Sequence, residues 1–308
     1  MILQFLSSLL NLEIDEIIKF INSSPHRYKV YKIPKRKKGE FRTIAQPSSQ
    51  LKFIQKAVIK EFFSDLPIHN RAMAYVKGKG IKDNALMHVN NDFLLKMDFE
   101  NFFPSLGPED FINHLKKSSN LMLSDKDEFF IKNIFFWAQI RSKPLVMSIG
   151  APSSPFISNA VMYPFDEKID EYCKKNGITY TRYADDLVFS TSIPKVLFLL
   201  PSFIEKTIKS LSYPRLKINY EKTVFSSKKH NRHITGLTIT NESKISIGRA
   251  KKRYISSLVH KHTLSQIDSV QLSYLKGYLA FCFDVEDQFI KQLEKKYGDF
   301  VIRGLLNH

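Results

Sequence analysis

The amino-acid sequence predicts an α+β fold, and three observations carry that expectation. Strand-like runs are mixed with helical ones instead of alternating regularly with them, which argues against a doubly wound parallel sheet. Two alternating stretches, 178–182 and 187–190, flank the tetrapeptide Tyr183-Ala184-Asp185-Asp186, the pattern of a β-hairpin with adjacent carboxylates at its tip. From about Gly248 onward the pattern turns helical, basic and aromatic.

Taken in order, the chain opens with a helical region in which Leu12, Ile14, Ile17, Ile18 and Ile21 recur at helical spacing, ending at the breakers Asn22 to Pro25. Runs 28–33 and 40–45 read as a hairpin whose tip, Pro34 to Gly39, is cationic through Lys35 to Lys38. An amphipathic helix is expected over 51–63, and a short one from about Asp83. An apolar strand then ends on Asp98. Residues 108–139 read as mostly helical, and the small-residue turn from Ser148 to Pro155 opens a helix that runs to about Lys175. After the acidic hairpin come a helix over 195–211, a strand over 215–220 and a strand pair around Thr235-Gly236.

Composition narrows the function. The 308 residues suffice for two domains, or one with an appendage, and 43% hydrophobic content supports a substantial core. A net charge of +17 suits a polyanionic partner, nucleic acid first and a membrane surface second. No basic amphipathic helix stands out for the membrane. Cys173 and Cys282 lack metal-type spacing and read as free thiols of a reducing compartment. No apolar run reaches membrane-spanning length, and the first residues lack signal-peptide character, so a cytoplasmic protein is expected. Neither a Gly-x-Gly-x-x-Gly nor a Gly-Lys-Ser/Thr phosphate loop is present, which gives a dehydrogenase or an ATPase no support.

Asp98, Asp185 and Asp186 are the candidate catalytic residues. Three carboxylates delivered by two strands can hold a pair of divalent cations roughly 3.5–4 Å apart, the arrangement that carries nucleotidyl transfer. Oxygen ligands of this kind suit Mg²⁺. The plainer alternative is an acidic hairpin turn.

The order of Arg42-Thr-Ile, Asp98-x-x-x-Phe-Phe103, Gly150-Ala-Pro-Ser-Ser-Pro155, Tyr183-Ala-Asp-Asp186 and a Lys222-bearing strand resembles a reverse transcriptase. Asn84-Ala-Leu-Met-His88, Ile234-Thr-Gly236, Ile247-Gly-Arg249 and Leu275-Lys-Gly277 make it similar to the retron type, over about residues 27–300. The resemblance implies a right-hand polymerase: N-terminal helices and fingers over 1–92, an antiparallel-sheet palm over 93–240 and a helical thumb over 241–308. It implies two Mg²⁺ ions held by Asp98, Asp185, Asp186 and the Phe99 carbonyl. Arg42, Phe103, Gly150, Ala151 and Lys222 would meet the deoxynucleoside triphosphate. Asn84, His88, Thr235, Gly236, Arg249, Lys251, Lys252 and Arg253 would meet RNA. Many reverse transcriptases carry Pro-Gln before the glycine, whereas this chain has Ser148-Ile149, so no role transfers to Ile149.

Several positions keep a second reading. Arg42 and Lys222 also read as surface charges, Phe103 as a core aromatic, Asn84 and His88 as a helix-start residue and a structural histidine. The basic tail also reads as a solvated helix. For the whole chain, the resemblance implies DNA synthesis on a structured non-coding RNA, starting from a 2′-hydroxyl and giving a branched RNA–DNA molecule (msDNA), in antiphage defence with an effector protein. The alternatives are a nucleic-acid-bound scaffold that restrains an effector, and a bacterial reverse transcriptase of another type.

Overall fold

The computed structural model describes residues 1–35, 39–140 and 142–306. Helices α1 (Ile2–Leu10) and α2 (Ile14–Ser23) bury Ile2, Leu6, Ile17 and Ile21; of the stripe read in the sequence, Ile17 and Ile21 are buried and Ile18 half-buried, whereas Leu12 and Ile14 are exposed. Strands β1 (Tyr28–Pro34) and β2 (Phe41–Pro47) pair antiparallel from Tyr28 opposite Pro47 to Pro34 opposite Phe41. Of the expected cationic tip, Arg36, Lys37 and Lys38 lie outside the described residues. Ser48 caps α3 (Ser49–Val58), which widens into a turn over Ile59–Phe63, and α4 (Ile81–Leu86) follows a loop.

The central sheet is built from β3 (Phe93–Asp98), β6 (Thr179–Tyr183), β7 (Asp186–Thr191) and β8 (Val224–Ser227), in the order β6-β7-β3-β8 and antiparallel throughout. Side chains alternate across a strand, and here both faces are covered. Leu95, Met97, Tyr180, Leu187 and Phe189 enter one apolar core; Leu94 and Val188 enter the other. That double burial is why β3 reads as an apolar run and not as a polar–apolar alternation.

Between β3 and β6 lie α5 (Phe102–Ser105), α6 (Pro108–Ser118), α7 (Asp125–Phe135), the short pair β4 (Phe136–Trp137) and β5 (Val146–Met147), then α8 (Ser154–Val161) and α9 (Tyr163–Lys175). The helical stretch expected over 108–139 therefore breaks at 119–124, where Ser124 caps α7 by accepting from the Asp127 N–H at 3.2 Å, and it ends in strand. The helix expected to run to Lys175 is interrupted at Met162, just ahead of Pro164, whose ring and missing N–H break the ladder. A short turn, Val196–Leu199, leads into α10 (Leu200–Ser210).

One expected strand is absent. Over 215–220 the chain is extended and buries Leu216 and Ile218, which produced the strand-like alternation, but only an isolated bridge joins Ile218 to Phe99. β3 stops at Asp98, so no longer partner exists there. The sheet edge is taken by β8 instead, which the sequence did not suggest. Further on, β9 (Arg232–Ile234) and β10 (Leu237–Ile239) flank Thr235 and Gly236, both at positive φ (45° and 89°), as a two-residue hairpin turn demands. β11 (Ile245–Ser246) completes that sheet.

Helices α11 (Arg249–Thr263), α12 (Ser269–Val285), α13 (Asp287–Tyr297) and α14 (Asp299–Leu306) close the second core around Leu258, Leu275, Leu279, Phe289 and Ile302. Among the described residues no helix is long and apolar enough to cross a membrane.

Candidate active site

The acidic residues meet because of sheet register. β3 and β7 pair so that Asp98 stands directly opposite Asp186. The tip between β6 and β7 is Ala184-Asp185, with Ala184 at φ 57°, and the Phe99 N–H donates to the Asp185 carbonyl at 3.2 Å. Asp98, Asp185 and Asp186 are thus gathered at one end of the sheet, as the sequence suggested, with the Phe99 backbone at the same junction.

Their electrostatics are unfavourable. Burial, and then the Asp98 charge, raise the Asp185 carboxyl above the ordinary range. Asp186 is open on its solvent side. Even so, desolvation by the site, followed by Asp185 and Asp98, pushes its carboxyl up to about 6. The Lys222 ammonium donates to both Asp98 oxygens, at 2.8 and 2.9 Å. Lys222 sits on a helical turn, Tyr220–Lys222, and not on a strand, and its ammonium is engaged with Asp98. A set of hard oxygen donors whose repulsion is only partly relieved by one ammonium fits a divalent cation in chemistry. Among the described residues no three acidic, His or Cys side chains are already converged at metal-ligand geometry.

Beside the acids lies a cavity of about 380 Å³ lined by Gln46, Lys52, Lys56, Tyr75, Phe103 and the turn Ser148 to Ala151. The turn is stitched to β2: Ala45 N–H donates to the Ile149 carbonyl at 2.9 Å, and Ser148 Oγ donates to the Ala45 carbonyl at 3.0 Å. Gly150 has φ 122°, and a Cβ there would meet Ile44 Cγ2 at 3.0 Å and the Ala45 carbonyl oxygen at 3.2 Å, so glycine is required on both counts. Phe103 lines the cavity half-buried, while its neighbour Phe102 is buried and stacks on Phe99. Arg42 is exposed on β2, close enough for its charge to lower the proton affinity of both Asp185 and Tyr75.

Sequence reasoning missed Tyr75, Lys52 and Lys56. The Tyr75 ring, at φ 61° and 6.4 Å from Phe103, forms the cavity's other aromatic wall. Nothing local in the sequence marks that conformation. The two lysines had a signal, because they lie four apart on the polar face of an amphipathic helix.

Asn84 and His88 are corrected. Both are fully buried, which leaves no atom for direct RNA contact. His88 instead bridges the hairpin strands, Nδ1 to Ser190 Oγ at 2.7 Å and Nε2 to Thr181 Oγ1 at 2.8 Å. Asn84 Oδ1 accepts from Thr181 Oγ1 at 2.6 Å. Burial holds the His88 ring down to about 3, so it is neutral. Gly236 is exposed on the β9–β10 turn, while Thr235 is half-buried with its hydroxyl turned inward. Arg249, Lys251 and Arg253 are exposed on α11, whereas Lys252 is tied to Glu286 and lies over the Phe289 ring.

A carboxylate cluster at the end of an antiparallel sheet, near a cavity of about 380 Å³ in a chain of charge +17, fits a nucleic-acid polymerase. The chain belongs to the reverse transcriptases: the family described as reverse transcriptase (RNA-dependent DNA polymerase) matches residues 33–239. Retron Ec83 reverse transcriptase of Escherichia coli is 46% identical over 280 residues, 90% of this chain and 89% of that one. Retron Ec73 reverse transcriptase, from the same organism, is 35% identical over 89% of this chain and 88% of its own. Retron Ec86 reverse transcriptase, also from Escherichia coli, is 30% identical over 95% and 89%. Within its family the chain is therefore of the retron type, an RNA-directed DNA polymerase, and the alternative of another bacterial type falls away. The family is in general divalent-metal dependent.

Proposed function

We propose that this enzyme copies a structured non-coding RNA into DNA, beginning from a 2′-hydroxyl of that RNA and yielding a branched RNA–DNA molecule. The reading is supported by the retron relatives, and for the chemistry by one observation above all: the register that sets Asp98 against Asp186 with Asp185 at the tip. Asp98, Asp185 and Asp186, with the Phe99 carbonyl, would hold two Mg²⁺ ions, which supply activation of the attacking hydroxyl and charge neutralisation on the leaving pyrophosphate.

The chain's own residues do the positioning. Gly150 and Ala151 let the backbone lie close to the incoming base pair, and Phe103 stands against the sugar and excludes a 2′-hydroxyl. Arg42, Lys52 and Lys56 face the phosphates. Lys222 holds Asp98 and would offer its ammonium to the triphosphate. As the new phosphodiester P–O bond forms, the bond to pyrophosphate breaks, and fixed charges stabilise the spread negative charge. Residues 1–92, 93–240 and 241–308 act as fingers, palm and thumb. Arg249, Lys251 and Arg253, with the Thr235-Gly236 turn, face RNA. The product and its enzyme act in antiphage defence alongside an effector protein, in the cytoplasm.

The test is to express the chain with its native flanking DNA and run the co-purifying nucleic acid on a denaturing gel. A band shortened by both RNase and DNase, and absent from an Asp185→Asn/Asp186→Asn protein, is expected. RNA alone from both proteins would overturn the proposal.

A further inference from the structure

Away from the cleft, α11 and α12 carry an aromatic array that the polymerase chemistry does not use. Tyr274, Tyr278 and Phe281 recur at four and three residues and so share one face of α12. Tyr278 and Phe281 rest against the second apolar core. Tyr274 and, across on α11, Tyr254 do not: they are 39% and 47% exposed. The Tyr254 and Tyr274 rings lie 5.9 Å apart at 63°, and Tyr274 stacks on Tyr278 at 5.6 Å and 24°. Lys251 Nζ donates to Tyr274 Oη at 2.9 Å and stands 4.9 Å from the Tyr278 centroid.

An aromatic stripe that only fills a core is covered, whereas the outer two rings here are braced by their neighbours, with Lys251 Nζ 5.6 Å from the Tyr274 centroid, and remain partly exposed to water. Partly exposed aromatic rings braced beside a lysine suit a planar, anionic partner. Gly277 adds an independent sign. It is exposed in the middle of α12, where glycine weakens a helix relative to alanine, yet a Cβ there would meet nothing within 4 Å. The chain does not need that space for its own packing. Charge selects the partner's class: α11 carries Arg249, Lys251, Lys252, Arg253 and Lys261 and no acidic residue, and the sole acid of α12, Asp284, is at its far end.

We propose that Tyr254 and Tyr274 form a stacking site for unpaired nucleobases, with Lys251 and Arg253 on the phosphates and Gly277 admitting the sugar–phosphate backbone close to α12. The proposal rests on the reading of this chain as a polymerase of structured RNA. It adds that the C-terminal helices take single-stranded nucleotides, not duplex alone. Every base has a π-face, so the site tolerates sequence, and template RNA and DNA product share the chemistry.

Binding is measured by anisotropy on the full chain, with labelled oligo(rA), oligo(dA) and an RNA–DNA duplex of equal length. Tyr274→Ala is expected to weaken single-strand binding about tenfold, the scale of one lost base–aromatic stack. Tyr274→Phe keeps the wild-type affinity, and neither change moves duplex binding beyond about twofold. Gly277→Ala, which raises helix propensity and so does not fail by misfolding, also weakens single-strand binding. Loss on oligo(rA) alone assigns the site to RNA, and loss on both strands assigns it to either nucleic acid. Unchanged single-strand affinity overturns the proposal and leaves the array as a protein-contact surface; equal loss on the duplex overturns it too. Extension by the wild-type protein of a DNA primer on an RNA template, run alongside, tests the polymerase reading separately.

Discussion

The two ends of the β6–β7 hairpin are built on opposite principles. At the tip, Asp185 and Asp186 face Asp98, and two of the three carboxyls are driven above their ordinary range. Behind the tip, most polar groups are paired, although the buried Asn84 Nδ2 has no partner. His88 spans Thr181 and Ser190, Asn91 Nδ2 donates to Thr179 and Ser190, and Asn84 accepts from Thr181. Between the two ends, the buried Arg182 guanidinium pairs with Asp166 and donates to the Ala184 carbonyl at 3.2 Å, bracing the left-handed turn itself. Clustered like charge persists only where the surroundings over-determine it. The frame supplies that determination, and the tip keeps its clustered carboxylates.

The largest effect separates the two ends outright. Asp185→Asn or Asp186→Asn is expected to lower divalent-ion-dependent deoxynucleotide incorporation by on the order of 10³-fold, several kcal/mol of transition-state stabilisation. RNA affinity stays near wild type. Normal incorporation in both variants would remove the tip from the chemistry.

At the other end, His88→Ala should cost about 2–4 kcal/mol of stability, because it opens a void and strips partners from two buried hydroxyls. Denaturant midpoints measure it. A pH signature sharpens the point. The folded His88 titrates near 3, below its unfolded value, so the unfolded chain takes up the proton first and wild-type stability falls as pH drops from about 6.5 towards 3. In His88→Asn that acid limb should be shallower; an identical limb would show that His88 is not the buried neutral brace described.

What was legible in the sequence follows the same division. The tip could be read because each ingredient is local: period-two strands, a turn and acids at strand ends. The frame could not. The four-residue spacing of Asn84 and His88 puts them on one face, but whether that face meets solvent or the sheet depends on β6 and β7 about 90 residues on. Lys222 has the same character, since its partner Asp98 is 124 residues away. Tyr75 shows a third kind of silence, a non-glycine residue at φ 61° that only tertiary packing holds. Phe103 was left between wall and core, and its place on the cavity favours the wall. Phe103→Ala is accordingly expected to raise ribonucleotide use relative to deoxynucleotide about tenfold, on the scale of one lost pocket contact. An unchanged ratio would return Phe103 to the core.

The smallest expected effect is a gain. Because the folded Asp186 titrates near 6, above its unfolded value near 3.8, the native state holds the proton more firmly than the unfolded chain does. Stability contributed by this group is therefore present below about pH 4 and lost as pH rises through about 6. Asp186→Asn removes that loss, so its melting temperature should exceed wild type by about 2 °C at pH 7.5, discounting for solvent at an open group, and match it near pH 4. Millimolar Mg²⁺ should raise the wild-type melting temperature more than the variant's, since the ion relieves the same repulsion. If Asp186→Asn is instead destabilised at pH 7.5, the tip is not a site of stored repulsion, and the contrast with its well-paired frame collapses.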